Sequence, residues 1–336
     1  MRTSGIDLKS RWQLILKEES GKIGFSPDKK LLRKSEWWKT GKIGAVHCPG
    51  FVTVNGERVR GVLKIQGTKP PTSEVALIEG FAKQNRSKRI RPPRIFSHTP
   101  WSKEKQYEAF IVEEVQGEPV MNGRPADKKE LNFFFELYND YRANCRNKPW
   151  VTKPQSWSYA EQVNRWRSAV KEQSKVDPRR SPEDKRLVEN AIDIVERNLL
   201  VEDLEFVHGH FQPGDLIKTP QGDFVLFSNL FWSWRIPFYD AVFGYHWWML
   251  GMEYAKGLTP QSLEKERKRW LRKIFDLPEI RGNSKAERLA NLALLERAVP
   301  ALMVDRYMLA PDSQSEQIIT EGARKELKRL ISTLSK

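Results

Sequence analysis

The chain has 336 residues, of which 39% are hydrophobic, and it carries 58 Lys and Arg against 43 Asp and Glu. This composition excludes an intrinsically disordered protein and favours one large or two packed domains. Only two cysteines occur, Cys48 and Cys145, so a disulfide framework is not expected. No segment approaches the ~20 apolar residues of a transmembrane helix, and the N-terminal residues lack a signal-peptide core. We therefore expect a cytoplasmic protein with no membrane partner.

The net charge of +15 has two interpretations, a surface that binds an anionic partner such as nucleic acid, or an ordinary solvated surface. The densest basic run precedes Pro92–Pro93 and is predicted to be a loop that leads into a strand. Its cations are Lys83, Arg86, Lys88, Arg89, Arg91 and Arg94. A second basic cluster at 265–273 is interleaved with glutamates, which is typical of the solvated face of a helix. No recognised nucleic-acid motif accompanies the charge, so nucleic-acid binding through residues 83–94 ranks well behind.

The first third of the chain predicts strands and one helix. Residues 51–67 form two alternating apolar runs joined through Asn55-Gly56, which is a strong β-hairpin signal. Residues 72–84 place apolar side chains at helical spacing, and residues 107–119 read as a strand followed by a turn. We therefore predict a sheet-rich lobe over residues 1–116, with a hinge near 115–120.

From about residue 127 the apolar spacing becomes helical. Ser181 is placed to cap one of these helices, with acidic residues in its first turn. Residues 205–240 interrupt the helices with short strands and a turn at 220–223, and later breaks are expected at Gly282 and Pro311. The predicted fold is α+β with two lobes: a small antiparallel sheet with one helix, and a mainly helical lobe over residues 117–336.

One segment carries a family resemblance: residues 208–217 read His-Gly-His-Phe-Gln-Pro-Gly-Asp-Leu-Ile. It resembles the catalytic loop of the aminoglycoside phosphotransferase and choline kinase-like family, which shares the protein kinase fold and reads H-G-D-x-x-x-x-N. The resemblance implies that His210 stands at the catalytic aspartate and Asp215 at the asparagine. It further implies that Ser228 stands at the metal-binding aspartate, while Asp240 matches a later aspartate of the family.

The resemblance extends over roughly residues 40–310. It implies that Lys64 is the phosphate-pairing lysine and that Glu74 is the helix glutamate that pairs with it. Glu113 and Val115 fall in the strand and hinge that face adenine in the family. The glycine-rich loop is matched only loosely, by Gly41, Gly44 and Gly50.

The substitutions decide which chemistry is expected. Phosphoryl transfer depends on metal ions held between carboxylate and phosphate oxygens, and Asp215 is a suitable magnesium ligand. Ser228 is a neutral hydroxyl and does not replace a carboxylate. His210 is able to act as a base near neutrality, but in its protonated form it repels magnesium. We therefore predict a degenerate site, a pseudokinase with weak or absent binding of ATP and Mg²⁺.

Two alternatives remain open. The first is an active ATP- and magnesium-dependent small-molecule phosphotransferase that uses Asp215 for the metal and His210 as base. The second is a basic nucleic-acid-binding protein. The acceptor, whether a small molecule or a protein partner, is not identified by the sequence.

Structural interpretations compete with each functional one. Lys64 is equally a surface lysine on a strand, and Glu74 a helix N-terminal charge. His208 is predicted to brace the loop, and Asp240 to hold the loop or to cap its own helix. The aromatic residues between 231 and 248 predict core packing, or alternatively a platform for a flat or cationic ligand. Trp37 and Trp38 are expected to cover the outside of the sheet.

Overall fold

The computed structural model describes residues 8–36, 43–67, 69, 72–174 and 181–335. In these ranges an antiparallel sheet precedes a mainly helical region, which confirms the predicted α+β class. Trp37, Trp38 and Gly41 lie outside the described residues, so the expectations placed on them stay predictions.

The first lobe contains one six-stranded sheet and two helices. The elements in chain order are α1 (Trp12–Lys22), β1 (Ser26–Pro27), β2 (Arg33–Glu36), β3 (Ile43–Val54), β4 (Glu57–Gln66), α2 (Glu74–Gln84), β5 (Ile90–Arg91), β6 (Ile95–Thr99) and β7 (Glu108–Glu113). The sheet order is β1-β3-β4-β7-β6, and β2 pairs with β3, whereas β5 belongs to a different sheet.

The predicted hairpin is confirmed as β3 and β4, which pair from Val54 opposite Glu57 back to Ala45 opposite Gln66. Asn55 and Gly56 both have positive φ, 52° and 86°, as a tight turn between twisted strands requires. The first strand of the hairpin, β3, is longer than expected, since it begins at Ile43. The predicted helix of this lobe is also confirmed, as α2.

The sheet has two different faces because side chains alternate along each strand. Val46 and Cys48 of β3 and Leu63 of β4 are buried in one cluster, together with Ile15 and Leu16 of α1. Helix α1 therefore covers the outer face of the sheet. The opposite face carries the intervening residues of the same strands and is turned toward α2.

Sequence reasoning did not predict α1, because its few apolar residues are interleaved with charges. Its remaining inward-facing position is Glu19, which is only 5% exposed. The Glu19 carboxylate accepts hydrogen bonds from Thr99 at 2.7 Å and Tyr107 at 2.5 Å. The sheet thus supplies the polar partners that allow a carboxylate to be buried beneath this helix.

The second lobe is built from seven helices and five short strands in the described residues. These are β8 (Glu118–Pro119), α3 (Lys128–Asn144), α4 (Tyr159–Ser174), α5 (Pro182–Asn198), β9 (Glu205–Val207), β10 (Leu216–Lys218), β11 (Phe224–Leu226), β12 (Ser233–Arg235), α6 (Tyr239–Gly251), α7 (Pro260–Phe275), α8 (Ser284–Met303) and α9 (Gln314–Leu334). The Ser181 side chain accepts from the Asp184 backbone N–H, so the predicted cap of α5 is confirmed. None of the helices described has the length and apolar character needed to cross a membrane.

The basic segment at 83–94 joins the two lobes. Its strand β5 pairs in parallel with β11, with Ile90 opposite Phe224 and Arg91 opposite Val225. Ile90 is buried in the large core of the helical lobe, as is Phe81 of α2. The sequence predicted a loop here, because a two-residue strand paired to a distant hairpin has no local signal.

Helix α7 confirms that the second basic cluster is helical, but its face is not wholly solvated. Glu266 is 1% exposed and accepts hydrogen bonds from the Ala126 backbone N–H and from Trp248 Nε1, both at 2.9 Å. The expectation of a solvated face is therefore wrong for this turn, where the Glu266 carboxylate bonds α7 to the segment before α3.

Candidate functional site between the two lobes

A buried polar cluster lies on the inner face of the sheet. Lys64 of β4 forms an ion pair with Glu74, the first residue of α2. Gln66, one alternation along β4, donates from Nε2 to the same Glu74 oxygen at 2.8 Å. The expected pairing of Lys64 with Glu74 is thus present, and Gln66, which sequence reasoning missed, holds the carboxylate in place.

His47 lies beside this cluster, directly opposite Lys64 in the β3–β4 ladder. Burial, with the positive charge of Lys64, lowers the pKa of His47 to about 4. The imidazole is therefore neutral near pH 7, and Lys64 remains the cation of this face. A neighbouring strand places His47 here, so no local sequence pattern indicated it.

The hinge residue Glu113 ends β7 and is already engaged by the protein. Arg91 donates to both of its carboxylate oxygens, at 2.6 and 2.9 Å, and also bonds Asp223 in the hairpin of the second lobe. Although burial opposes the shift, these Arg91 contacts lower the pKa of Glu113. Through Arg91, the Glu113 side chain therefore ties the end of β7 to the hairpin of the second lobe, while Val115 is half-buried in the segment that follows.

The catalytic-like loop, residues 208–217, is anchored by Asp240, the second residue of α6. Its carboxylate accepts from the backbone N–H groups of His208 at 3.0 Å and Gly209 at 2.8 Å, and from the Tyr141 hydroxyl at 2.6 Å. Asp240 thus binds both backbone N–H groups at the start of the loop. Gly209 has φ of 79°, and a Cβ there would lie 2.4 Å from the Phe231 carbonyl oxygen, so this position requires glycine.

His208 is completely buried in this anchor. Burial lowers its pKa well below the usual value for histidine, so the ring is neutral. Its ring also packs edge-on against Trp232, with the two centroids 5.1 Å apart. Both ring nitrogens are buried without a hydrogen-bond partner among the described residues, so the ring is held by packing, and the bracing of the loop by His208 stays a prediction.

His210 and Asp215, at opposite ends of the loop, contact each other directly. His210 Nδ1 lies 2.5 Å from Asp215 Oδ2, and both side chains are largely buried. The imidazole is also surrounded by rings: Phe231 stacks on it at 4.7 Å between centroids, with Phe243 at 4.4 Å and Trp247 at 5.6 Å. Asp215 is therefore the partner of a histidine rather than a free carboxylate.

Ser228 lies just after β11 and has a left-handed backbone conformation, with φ of 61°. The next residue, Asn229, is 1% exposed and turns into the core, where it bonds the Leu226 carbonyl and Trp232 Nε1. Asn229 does not replace the missing carboxylate. Among the described residues, no group of three or more His, Cys, Asp and Glu side chains is arranged to hold a metal ion. The donor set does not fit a two-carboxylate magnesium centre.

The fold can now be compared with known proteins. Neither protein-family models nor curated protein sequences match this chain. Solved structures do match over nearly its whole length. A thermostable mutant of aminoglycoside phosphotransferase APH(4)-Ia, in complex with AMP-PNP and hygromycin B, aligns with 95% of this chain and 98% of its own, at 14% identity and a TM-score of 0.55. This chain has the aminoglycoside phosphotransferase and choline kinase fold.

Two kinases of small alcohols give the same result. Choline kinase from Cryptosporidium parvum aligns with 96% of this chain and 97% of its own, at 12% identity and a TM-score of 0.54. Plasmodium vivax ethanolamine kinase aligns with 87% and 81%, at 8% identity and 0.51. At these identities the likeness shows the kinase-like fold alone.

The aromatic residues near the loop of this kinase-like fold divide into two groups. Trp232, Phe238, Tyr245 and Trp248 are buried in the core of the helical lobe, as the packing interpretation predicts. Phe231, by contrast, is 42% exposed and lies beside His210. The packing interpretation therefore holds for the buried members, while a ligand platform at Phe231 stays a prediction.

The basic run is partly used by the kinase-like fold itself. Arg91 is paired with Glu113 and Asp223, and the Arg89 guanidinium lies over the Phe133 ring. Lys83 and Lys88 are exposed. Nucleic-acid binding through this segment stays a prediction, to be tested by its dependence on salt.

Proposed function

We propose that this protein is a kinase-fold nucleotide-binding protein whose phosphotransfer centre is degenerate, that is, a pseudokinase. The observation that carries the proposal is the 2.5 Å contact between His210 Nδ1 and Asp215 Oδ2. This contact engages Asp215, the one carboxylate of the loop that the family resemblance implies as a metal ligand. Ser228, at the second ligand position, provides only a hydroxyl.

The physical argument concerns charge. The transferred phosphoryl group carries several negative charges, which metal ions and cations must neutralise while they hold it in line. A carboxylate that accepts a short hydrogen bond from an imidazole has less capacity to bind a divalent cation. A second carboxylate is absent from the Ser228 position. The residues of the loop therefore do not fit the metal-dependent step.

The residues that the family resemblance assigns to nucleotide binding, unlike those of the loop, keep the family's residue types at Lys64 and Glu74. Lys64 is held by Glu74 on the inner face of the sheet, with Gln66 as a second donor to the same carboxylate. A fixed ammonium group at this place is suited to a phosphate oxygen of a nucleotide. We expect ATP and ADP to bind through Lys64, weakly, and without a requirement for magnesium.

The test is a thermal-shift and calorimetric titration with ATP and ADP, each with magnesium or with EDTA. A ligand that binds only the folded state stabilises it by about 2.7 kcal/mol at a hundredfold excess over its dissociation constant. We expect a rise that is the same in both conditions and that Lys64→Met removes. The matched control is Lys83→Met, an exposed lysine of α2. A rise that requires magnesium would contradict the proposal, as would no binding at millimolar nucleotide.

A second candidate is an active small-molecule phosphotransferase, and the same contact favours it in a different way. A carboxylate at Nδ1 fixes the tautomer and orientation of a histidine and leaves Nε2 to accept a proton. In that case His210→Gln and Asp215→Asn would each remove a measurable ATP turnover. For a pseudokinase, the unaltered protein and both variants give the same background rate.

A further inference from the structure

A cavity of about 570 Å³ lies within the helical lobe, between α6, α7, α8 and α9. Its walls are mainly apolar and include Val242, Met249, Leu263, Leu294 and Ile319. None of the residues assigned to the nucleotide or to the catalytic-like loop lines it. A volume of this size is in the range of small-molecule sites, which are mostly apolar with a few placed polar groups.

Small side chains on two facing helices create this space. Ala298 and Ala301 lie on α8, one turn apart, and Ala323 lies on α9 across the cavity. Residues of this size leave a gap where larger apolar side chains would fill the space between packed helices. The cavity is thus a consequence of sequence choice on both helices.

The charged side chains on its floor are internally compensated. Arg267 donates to both oxygens of Glu264, at 2.6 and 2.7 Å, and its Nη1 lies 3.8 Å from Glu326 Oε1. Arg297 is paired with Asp305 at 2.8 Å. Burial raises the pKa of Glu326, which favours its neutral form. The floor therefore offers no uncompensated charge to a ligand.

The rim on α9 differs from the floor. Lys325 and Arg329 are exposed, lie one helical turn apart and both line the cavity. Within the described part of the chain neither forms an ion pair. The nearby carboxylate of Glu321 is instead bound by Arg324. The rim thus carries two cations beside an apolar interior.

We propose that this cavity binds an apolar molecule that carries one carboxylate group. The apolar body lies between α8 and α9, and the carboxylate lies at the rim beside Lys325 and Arg329. Burial of the apolar surface supplies the affinity, and the two cations select the anionic head group. This inference does not depend on the proposed nucleotide-binding function.

The test uses three probes of one shape: naphthoate, naphthylmethanol and the naphthylmethylammonium ion. Their dissociation constants are measured calorimetrically on the full chain. We expect naphthoate to bind about tenfold more tightly than the ammonium ion, with the alcohol between them, since two exposed cations contribute modestly. Excess ADP is expected to leave naphthoate binding unchanged, because none of the residues assigned to the nucleotide lines this cavity.

Variants locate the site. Ala298→Leu fills the cavity and weakens naphthoate binding at least about tenfold, whereas Ala143→Leu, at an exposed position of α3, leaves it unchanged. Ala301→Leu fills a different part of the same cavity and serves if the first variant folds poorly. The paired change Lys325→Gln and Arg329→Gln removes the preference for the anion, with Lys185→Gln and Arg186→Gln on α5 as the charge-matched control.

Three results would overturn the proposal. Failure of naphthoate to bind at its solubility limit excludes the ligand class. Equal affinity for naphthoate and the ammonium ion excludes the role of the rim. Unchanged binding in folded Ala298→Leu and Ala301→Leu proteins places the ligand elsewhere.

Discussion

Removal of the Asp240 carboxylate tests how the catalytic-like loop is held. Asp240 is 1% exposed and accepts three hydrogen bonds, from Tyr141, His208 and Gly209. In Asp240→Ala the His208 N–H keeps a partner, because the Tyr141 oxygen lies 2.7 Å from it. The Tyr141 hydroxyl and the Gly209 N–H lose theirs and remain buried.

The magnitude follows from these two orphaned donors. A buried donor without a partner costs about 1–3 kcal/mol. We therefore expect Asp240→Ala to lower the free energy of unfolding by about 4 kcal/mol. Tyr141→Phe removes one bond to the carboxylate, while both backbone N–H groups keep Asp240, so we expect a loss of about 1.5 kcal/mol. In the double variant the orphaned hydroxyl is gone, but the His208 N–H loses its remaining partner, so two buried donors are again orphaned. We therefore expect a loss of about 4 kcal/mol, less than the sum of the single variants.

The assay is urea unfolding at pH 7, followed by tryptophan fluorescence and by far-ultraviolet circular dichroism. The dependence of the unfolding free energy on urea concentration, the m-value, must be equal across variants. Asp276→Ala, at an exposed position after α7, is the control and is expected to change the free energy by less than about 0.5 kcal/mol. The reasoning fails if Asp240→Ala costs less than about 1 kcal/mol, or no more than Tyr141→Phe.

Three further predictions concern pH, the metal position and a helix cap. Unfolded histidine binds a proton below pH ~6.5, whereas burial and Lys64 hold the pKa of His47 at about 4 in the folded state. Stability therefore falls as pH drops, by about 1.6 kcal/mol between pH 6.5 and 5 for His47 alone, and the lowered pKa of His208 acts in the same direction. Urea unfolding across this range should show a smaller loss in His47→Gln, and an equal loss would count against the assignment. Ser228→Asp supplies a carboxylate that tolerates a left-handed conformation, so we expect ATP stabilisation to become magnesium-dependent in thermal-shift titrations, whereas Ser228→Asn, as the neutral control, should not change it. Ser181→Ala should lower stability by about 1 kcal/mol in urea unfolding because it removes the cap of α5, and a neutral result would mean that this end of the helix is held by packing alone.

Much of the fold is determined locally and was predictable. Asn55 and Gly56 favour positive φ, so they specify the turn that sets the β3–β4 register, whatever the rest of the chain does. Helix α2 follows from the periodic spacing of apolar residues, and the start of α5 from the capping preference of Ser181. The resemblance of residues 208–217 to the family's catalytic loop, with Lys64 and Glu74 in the expected order before it, was enough to indicate the kinase-like fold.

Other features depend on residues far apart in sequence. Helix α1 is stable because the sheet buries Ile15 and Leu16 and provides hydrogen-bond donors to Glu19, and strand β5 exists only where β11 passes it. Such elements have no periodic signal of their own, since their free energy comes from tertiary contacts rather than from propensity.

The same division applies to the site. The family resemblance of the sequence implies that His210, Asp215 and Ser228 stand at the catalytic positions, and hence predicts that a metal-dependent centre would lack a carboxylate. Only the tertiary structure decided that His210 and Asp215 engage each other, in a loop whose start is held by Asp240 of a distant helix, α6. Hydrogen bonding between side chains is set by geometry that neither composition nor spacing contains.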